Sequence, residues 1–355
     1  MKIIKVGPDG FTLITIEPKD VSLFENLLTR LRDTSDKYLD YDANEVFKHY
    51  RKGLNKLLSI IDKKKGTVSA PYDIIYDYRK NSYSSASWGK VTLKGKFEFP
   101  LELKKHKELM ESKMKKERKL EKGNTPCPRL VRFSLGDNNE PTFFFENAEY
   151  FDQVGTNLSL DAQLEDPIEV GDKKCQTVRK WDIIQAGLEV GELPSFENSK
   201  LANTLGVAVG FTAKNKYGET VILMRKRKKK VAVYPGMWHL PCSFALSLPS
   251  GNEKVETDLR MFINFSFPAE LSEEANLIPS DFYLATPIAF CRDLIRGGKP
   301  QLFLEMEAKD PFEQLKAKIE DRGKYKEYKN KIKLAKFNSD SNCSPELLAY
   351  LMLKL

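Results

Sequence analysis

The chain has 355 residues, 41% of them hydrophobic and 30% charged, a composition that argues against extensive disorder and predicts two domains or one domain with a large extension. Its net charge of +8 favours anionic partners, whether nucleotides, nucleic acid or a membrane surface, without choosing among them. Five cysteines without a CxxC pair and three histidines indicate neither a disulfide framework nor a zinc site, so we expect a protein of a reducing compartment.

The first apolar run, Met1–Val6, is too short for a signal peptide. No later stretch approaches the ~20 apolar residues that a membrane-spanning helix needs, so we expect a cytoplasmic protein without a membrane partner. Alternating apolar residues around Gly7–Gly10 predict a β-hairpin over residues 2–16. Apolar residues at helical spacing then predict two amphipathic helices between residues 21 and 61.

The rest of the N-terminal region is predicted to contain strands followed by a charged helix. Tyrosines and an alternating pattern indicate strands between Tyr72 and Leu103. The proline-free, highly charged stretch Lys104–Lys122 is typical of an exposed helix, and turn residues follow it. Residues 1–122 are therefore expected to form a mixed α+β region, to which the sequence assigns no role.

Residues 123–200 are predicted to be a β-rich connecting region. Two strand-like runs, Arg129–Phe133 and Thr142–Phe145, are separated by turn-forming residues. Residues Trp181–Ser199 follow as a helix and a linker that contains Pro194. We attach no chemistry to this region.

Residues 201–355 have the periodicity of an α/β domain. Thr204–Phe211 and Thr220–Met224 are predicted strands joined by a turn. The basic run Arg225–Lys230 then reads either as a solvated loop or as a phosphate or RNA contact. In the second reading Arg225 and Arg227 are candidate substrate-binding residues.

A second hairpin and a helical tail complete the predicted C-terminal domain. Strands at Phe282–Leu294 and Gln301–Ala308 flank Ile295–Pro300, whose glycines supply positive φ values. We favour a plain hairpin turn over a phosphate-cradling loop here, because no helix N-terminus follows it. Glu305 on the second strand is either a candidate substrate or metal contact or part of an ordinary half-exposed strand. The tail, residues 311–355, ends in an apolar helix that covers the domain or forms a dimer contact; the oligomeric state stays open.

An acidic segment, Ala269–Leu277, carries the pattern with the most chemical meaning in this domain. Glu270, Glu273 and Glu274 stand at positions i, i+3 and i+4, so a helix places their carboxylates on one face. Such crowding is electrostatically unfavourable without a cation, and clustered carboxylate oxygens suit Mg²⁺ or Mn²⁺. The neighbouring Leu271 is expected to face the core.

The same segment resembles the end of the Nudix box, Arg-Glu-U-x-Glu-Glu-x-Gly-U, in which U is aliphatic. All three glutamate positions match, and the upstream Pro235–Pro241 is similar to the Nudix segment that contains a glycine, a tryptophan and a leucine-proline pair. The resemblance covers about a third of the chain. It implies an α/β/α sandwich with a mixed sheet, divalent cations held by Glu270, Glu273 and Glu274, and hydrolysis of a pyrophosphate bond in a nucleoside diphosphate-linked substrate.

The sequence departs from the Nudix pattern at several positions. Ala269 replaces the box arginine, and Asn276 replaces the glycine at the helix end, where asparagine is the next most tolerant residue for left-handed backbone. Pro268 implies that the helix starts or kinks there. The leading half of the box does not fit, because Val255 and Met261 fall at its glycine and glutamate positions.

These departures leave three functions open. The first is Mg²⁺- or Mn²⁺-dependent hydrolysis of a nucleotide-type small molecule. The second is a catalytically impaired Nudix-like module that binds nucleotide or regulates. The third is an RNA-interacting protein that uses its lysine-rich segments.

Overall fold

A computed structural model describes residues 2–6, 11–15, 57–62, 66–80, 87–117, 123–136, 138–189, 191–218, 220–227, 233–248, 254–322 and 344–354. The turn of the predicted first hairpin and most of the two predicted N-terminal helices lie outside these residues. Within this description, no helix is both long enough and apolar enough to cross a membrane.

The secondary structure is mixed, with seventeen strands and seven helices among the described residues. The strands are β1 (Lys2–Val6), β2 (Phe11–Thr15), β3 (Leu57–Asp62), β4 (Gly66–Asp77), β5 (Lys90–Lys96), β6 (Pro126–Leu135), β7 (Pro141–Glu149), β8 (Gln163–Val170), β9 (Lys173–Thr177), β10 (Gly206–Lys214), β11 (Thr220–Leu223), β12 (Arg225–Lys226), β13 (Trp238–His239), β14 (Cys242–Ala245), β15 (Lys254–Asp258), β16 (Thr286–Asp293) and β17 (Lys299–Glu307). The helices are α1 (Lys104–Lys116), α2 (Tyr150–Val154), α3 (Val178–Gln185), α4 (Leu259–Asn264), α5 (Phe267–Ala275), α6 (Phe312–Arg322) and α7 (Pro345–Lys354).

Most predicted elements are present close to their predicted bounds, but residues 57–62 are an exception. Apolar residues at helical spacing had placed them in the second amphipathic helix, and this prediction is wrong, because they form β3. They pair antiparallel with β4, with Ile60 opposite Val68. Pairing with β4 at the edge of the large sheet outweighs the local helical pattern of these residues.

The central sheet has the strand order β1-β2-β11-β10-β17-β16-β4-β3, and β14 also pairs with β10. The pairing of β10 with β17 is parallel and the other pairings are antiparallel. The chain therefore belongs to the mixed α and β class with a mixed sheet. Elements from both ends of the sequence contribute to it, since β3 and β4 lie beside β16.

Helices α5 and α7 cover opposite faces of this sheet. On β10, Val207 pairs with Phe244 of β14, whose ring lies 6.2 Å from that of Phe267 in α5. Neighbouring residues of a strand point to opposite faces of the sheet. Gly210 is three positions after Val207, so it lies on the face opposite α5. A Cβ atom built on Gly210 would overlap the ring of Tyr350 in α7. The apolar final helix thus covers the sheet, as one of the two sequence-based readings proposed.

A second sheet, of order β15-β5-β7-β6, packs against the α5 face of the first. Phe143 of β7 contacts Phe290 of β16, with ring centroids 5.1 Å apart at 83°. Phe145 stacks on Phe262 of α4 at 5.3 Å. The second sheet pairs β15, from the C-terminal third of the chain, with β5, from the N-terminal third. Residues of both sheets belong to one apolar core.

The close approach of α7 to Gly210 gives a stability prediction. Gly210→Ala is expected to destabilise the protein by about 1–3 kcal/mol, because the added methyl group forces the Tyr350 ring away from β10. Urea denaturation at neutral pH measures the change. Adding Tyr350→Ala should make the double variant more stable than the sum of the two single changes predicts; strict additivity would contradict the proposed contact.

Candidate functional site

The acidic helix α5 has the ends that its sequence predicted. It begins at Phe267, and Pro268 occupies its first turn, where the missing N–H removes no helical hydrogen bond. It ends at Ala275, and the capping residue Asn276 adopts left-handed backbone at φ 55° and ψ 34°. The Asn276 amide donates to the Ser272 carbonyl oxygen at 2.9 Å. Both expectations for the helix bounds are confirmed.

The glutamates of α5 differ in their surroundings. Glu270 is buried, and its Oε1 accepts a hydrogen bond of 3.3 Å from Ser247 Oγ. Glu273 is exposed and Glu274 is half-buried. Leu271 is fully buried and anchors the helix on the core, as predicted. Within the residues that the structure describes, no group of three or more His, Cys, Asp or Glu side chains is arranged to hold a metal ion.

The remaining sequence-predicted residues lie on other elements than α5. The Arg225 backbone belongs to β12 and pairs with His239, while Arg227 is half-buried. Glu305 lies on the α7 face of the sheet, opposite Gly210 in the register. Its carboxylate accepts from Tyr350 at 2.9 Å and pairs with Lys354 at 2.6 Å. The structure therefore places Glu305 and the three glutamates on different faces of the central sheet.

A group of charged and polar residues that the sequence did not bring together lies on the α7 face, and all of them are buried except the half-buried Ser243. We call it the buried polar cluster. Its members come from β4, β13, β14, the β16–β17 hairpin and the start of α7, and they are Tyr72, His239, Ser243, Asp293, Arg296, Lys299, Gln301 and Glu346.

Glu346 ties the start of α7 to this cluster. It pairs with His239 Nε2 at 2.9 Å and accepts from Ser243 Oγ at 2.8 Å. His239 Nδ1 lies 2.6 Å from Ser344 Oγ, and Ser344 in turn accepts from the Leu347 amide at 3.1 Å. His239 thus anchors the start of α7. Burial raises the pKa of Glu346, but His239 and Ser243 outweigh it and lower the pKa to about 2.

The β16–β17 hairpin supplies the other charges of the cluster. Asp293 accepts from the Ile295 amide at 3.0 Å and from Tyr72 Oη at 3.4 Å, and it lies 3.4 Å from Arg296 Nε. Burial raises the pKa of Asp293 to about 6, with Arg296 acting in the opposite direction. Burial and the nearby Arg296 lower the pKa of Lys299 to about 8.

This hairpin turn is held from outside by the connecting region. Arg179 forms two 2.6 Å hydrogen bonds with Asp161 and donates to the Ile295 carbonyl oxygen at 2.8 Å. Asn157 Nδ2 donates to the Arg296 carbonyl oxygen at 2.8 Å. Gly297 and its neighbour adopt the positive φ values that the sequence predicted, 68° and 79°. The turn is thus buried beneath residues 150–205 rather than displayed to solvent.

Cys127 carries a buried thiol on β6. Burial raises its pKa to about 12; nearby Lys299 acts to lower the pKa and Glu270 to raise it. Both groups are therefore within electrostatic reach of one sulfur atom. A backbone hydrogen bond also brings β6 close to the segment that contacts Glu270. Ser247 donates to Glu270, and the next residue, Leu248, donates its amide to the Pro126 carbonyl oxygen at 2.8 Å.

No protein-family model matches this chain, and no curated protein matches it at a significant level.

Proposed function

We propose that the chain hydrolyses a pyrophosphate bond in a nucleoside diphosphate-linked substrate, with Mg²⁺ or Mn²⁺ held by Glu270, Glu273 and Glu274. The observation that carries the proposal is helix α5, which has its expected proline start and left-handed end and buries Leu271 in the main apolar core. A mixed sheet between α5 and α7 supports the proposal, because the resemblance to Nudix proteins implies helices on both faces of such a sheet, although here a second sheet also packs on the α5 face.

The donor set of α5 suits a hard divalent cation. Side chains three and four residues apart on a helix have Cβ atoms about 5–6 Å apart, so their carboxylates converge by side-chain rotation alone. Such carboxylate oxygens are the ligands of Mg²⁺ and Mn²⁺. A bound cation would neutralise phosphate oxygens and lower the pKa of a coordinated water.

The protein's own contribution is to fix the Glu270 carboxylate while Glu273 lies exposed on the same helix. Glu270 is buried, and Ser247 holds its Oε1, so this carboxylate has a defined position at the base of the helix. Glu273, on the exposed side, faces the solution from which substrate arrives. One carboxylate in a fixed position, together with a carboxylate that turns towards an arriving metal ion, suits a site that binds a metal–phosphate complex.

A second candidate is a nucleotide-binding module without turnover, and the surroundings of α5 favour it. The residues at the positions of the leading half of the box lie elsewhere: Val255 is in β15, paired with Leu93, and Met261 is 62% exposed on α4. Ala269, in place of the bracing arginine, is exposed. A helix that lacks these supports still binds metal and phosphate, but holds the reacting groups less rigidly, which costs rate more than affinity.

A substrate screen separates the two candidates. The full chain is incubated with nucleoside diphosphate compounds, including capped and dinucleotide species, with Mg²⁺ or Mn²⁺, and the release of nucleoside monophosphate is measured beside calorimetric binding. We expect cation-dependent release from one class of compound. Saturable binding without release from any compound supports the module without turnover, and neither binding nor release contradicts both.

A further inference from the structure

The second sheet, of order β15-β5-β7-β6, has one face in the core and another towards solvent. Along β5, Val91 and Leu93 are buried. Lys90 and Lys94 are exposed, and Thr92 between them is half-buried. Because neighbouring residues of a strand point to opposite faces of a sheet, these last three residues mark an outer face that solvent reaches.

Strand pairing extends this outer face across the neighbouring strands. Phe144 of β7 pairs with Thr92, and Lys254 of β15 pairs with Lys94. Paired residues share a face of the sheet, and here Phe144 is half-buried and Lys254 is exposed. Arg132 of β6 pairs with Phe144 in turn. The outer face therefore carries an aromatic ring on an inner strand, with cationic side chains on the strands around it.

Two lysines meet on this face without a carboxylate between them. Lys94 and Lys254 stand directly opposite each other, an arrangement in which like charges destabilise a sheet. Of the residues that the structure describes, none forms a hydrogen bond or an ion pair with either ammonium group. Glu256 lies two positions from Lys254 on the same exposed face, but it pairs with neither lysine. The two ammonium groups are thus open to an anion from outside the protein.

Arg132 and Phe144 form a stacked pair beside these lysines. The guanidinium carbon of Arg132 lies 3.9 Å from the centroid of the Phe144 ring. The Arg132 side chain is 51% exposed, and its nearest carboxylate, Glu197, is 3.8 Å away and itself 58% exposed, so this ion pair contributes little. A planar guanidinium above a ring offers a flat surface on which a nucleic-acid base stacks.

Lysines and a stacking surface on one open sheet fit a partner that has both phosphates and accessible bases. The phosphates supply the charge that the lysines lack, and unpaired bases supply a ring face for Arg132 and Phe144. An acidic peptide or an anionic membrane would use the lysines and leave the stacked pair without a role. We propose that the outer face of the second sheet binds single-stranded nucleic acid.

This binding goes beyond the hydrolysis proposed at α5 and does not depend on it. The test uses the full chain with a chelator of divalent cations, so that turnover at α5 does not contribute. Fluorescence anisotropy measures its affinity for a labelled oligouridine of about 12 nucleotides, a length within the range that such surfaces cover. A duplex of the same length should bind more weakly, because its bases are paired and stacked inside. Equal or tighter binding of the duplex overturns the proposal.

The lysine pair should control the salt dependence of binding. Lys94→Gln with Lys254→Gln is expected to lower the affinity for oligouridine at least ~10-fold at low salt. The slope of log affinity against log salt concentration should fall by about 1.4, since each single-strand phosphate contact contributes about 0.7. The matched control, Lys173→Gln with Lys174→Gln at two exposed lysines of β9, should bind as the natural protein does. Equal losses in both double variants would mean that net charge alone drives binding, against the proposal.

The stacked pair should control affinity in a different way. Phe144→Leu removes the ring but keeps an apolar side chain, and it is expected to lower the affinity at least ~5-fold with an unchanged salt slope. The unfolding temperature of this variant checks that the sheet is intact. Natural affinity in Phe144→Leu, beside a loss in the lysine variant, would indicate a surface for any polyanion and refute base recognition.

The natural protein alone provides the test if these variants fail to fold. Bound oligouridine should protect Lys94 and Lys254 from an acylating reagent, measured by mass spectrometry of the digested protein, while Lys173 reacts as it does without RNA. Unchanged reactivity of Lys94 and Lys254 rejects the outer face as the binding surface.

Two further probes identify the source of the anion. Comparison of oligouridine with oligothymidine assigns the surface to RNA or to single-stranded DNA by the tighter ligand, and both results support the proposal. Vesicles of phosphatidylserine and phosphatidylcholine test a membrane partner. Binding of these vesicles without binding of either oligonucleotide would replace nucleic acid by an anionic membrane and overturn the proposal.

Discussion

Replacing Glu273 and Glu274 together by glutamine is expected to lower cation-dependent release of nucleoside monophosphate at least ~100-fold. Charge stabilisation by a bound cation supplies several kcal/mol to such reactions, and each 1.36 kcal/mol is tenfold in rate. The fold should survive, because Glu273 is exposed, Glu274 is half-buried and glutamine has nearly the same size. Turnover with Mg²⁺ or Mn²⁺ is the primary measurement.

Metal binding by calorimetry should be lost in parallel, which distinguishes a lost ligand from a damaged substrate site. The matched control is Glu108→Gln with Glu313→Gln, two exposed glutamates on α1 and α6. This control should keep both turnover and metal affinity. Release at the natural rate by the Glu273 and Glu274 double variant would show that the metal assignment is wrong.

Local signals predicted the acidic helix correctly because they act within a few residues. Asn276 tolerates the left-handed backbone that ends a helix, and Pro268 fits a first turn, so both bounds follow from sequence alone. The two glycines of the β16–β17 turn were likewise predictable from the φ values that such a turn requires.

The buried polar cluster was not predictable, because its members are far apart in sequence and each has an ordinary local explanation. Arg296 and Lys299 belong to a predicted hairpin turn, and their burial goes with packing of the connecting region on that turn, where Arg179 and Asn157 bond its carbonyl groups. The usable signal was Glu346, a charge within an otherwise apolar final helix. Such a residue predicts a buried partner but does not say which one.

The same limit explains β3. Its apolar residues fit either a helix or a strand over a short run, and pairing with β4 decides between them. Long-range contacts of this kind also join β15 to β5, so the distribution of the chain between the two sheets depends on tertiary packing rather than on local pattern.

Glu346→Ala is expected to lower the free energy of unfolding by about 3–5 kcal/mol, the cost of breaking a buried ion pair by removing one partner. His239, which is fully buried, would lose its contact with the carboxylate, Ser243 would lose its hydrogen-bond partner, and α7 would lose its anchor to β13 and β14. Urea denaturation at pH 7 measures the loss. Glu307→Ala, at an exposed carboxylate of β17, should change stability by no more than about 0.5 kcal/mol.

The pH dependence of this difference tests its electrostatic origin. The folded pKa of Glu346 is about 2, below its ordinary value of 4.5, so its carboxylate stabilises the fold above pH 4.5. That contribution is lost as pH falls from 4.5 towards 2, and the difference in unfolding free energy between the natural protein and Glu346→Ala should narrow over this window. A difference independent of pH would instead mean that the variant is destabilised by lost packing alone, and that the pairing of Glu346 with His239 does not hold α7 on the sheet.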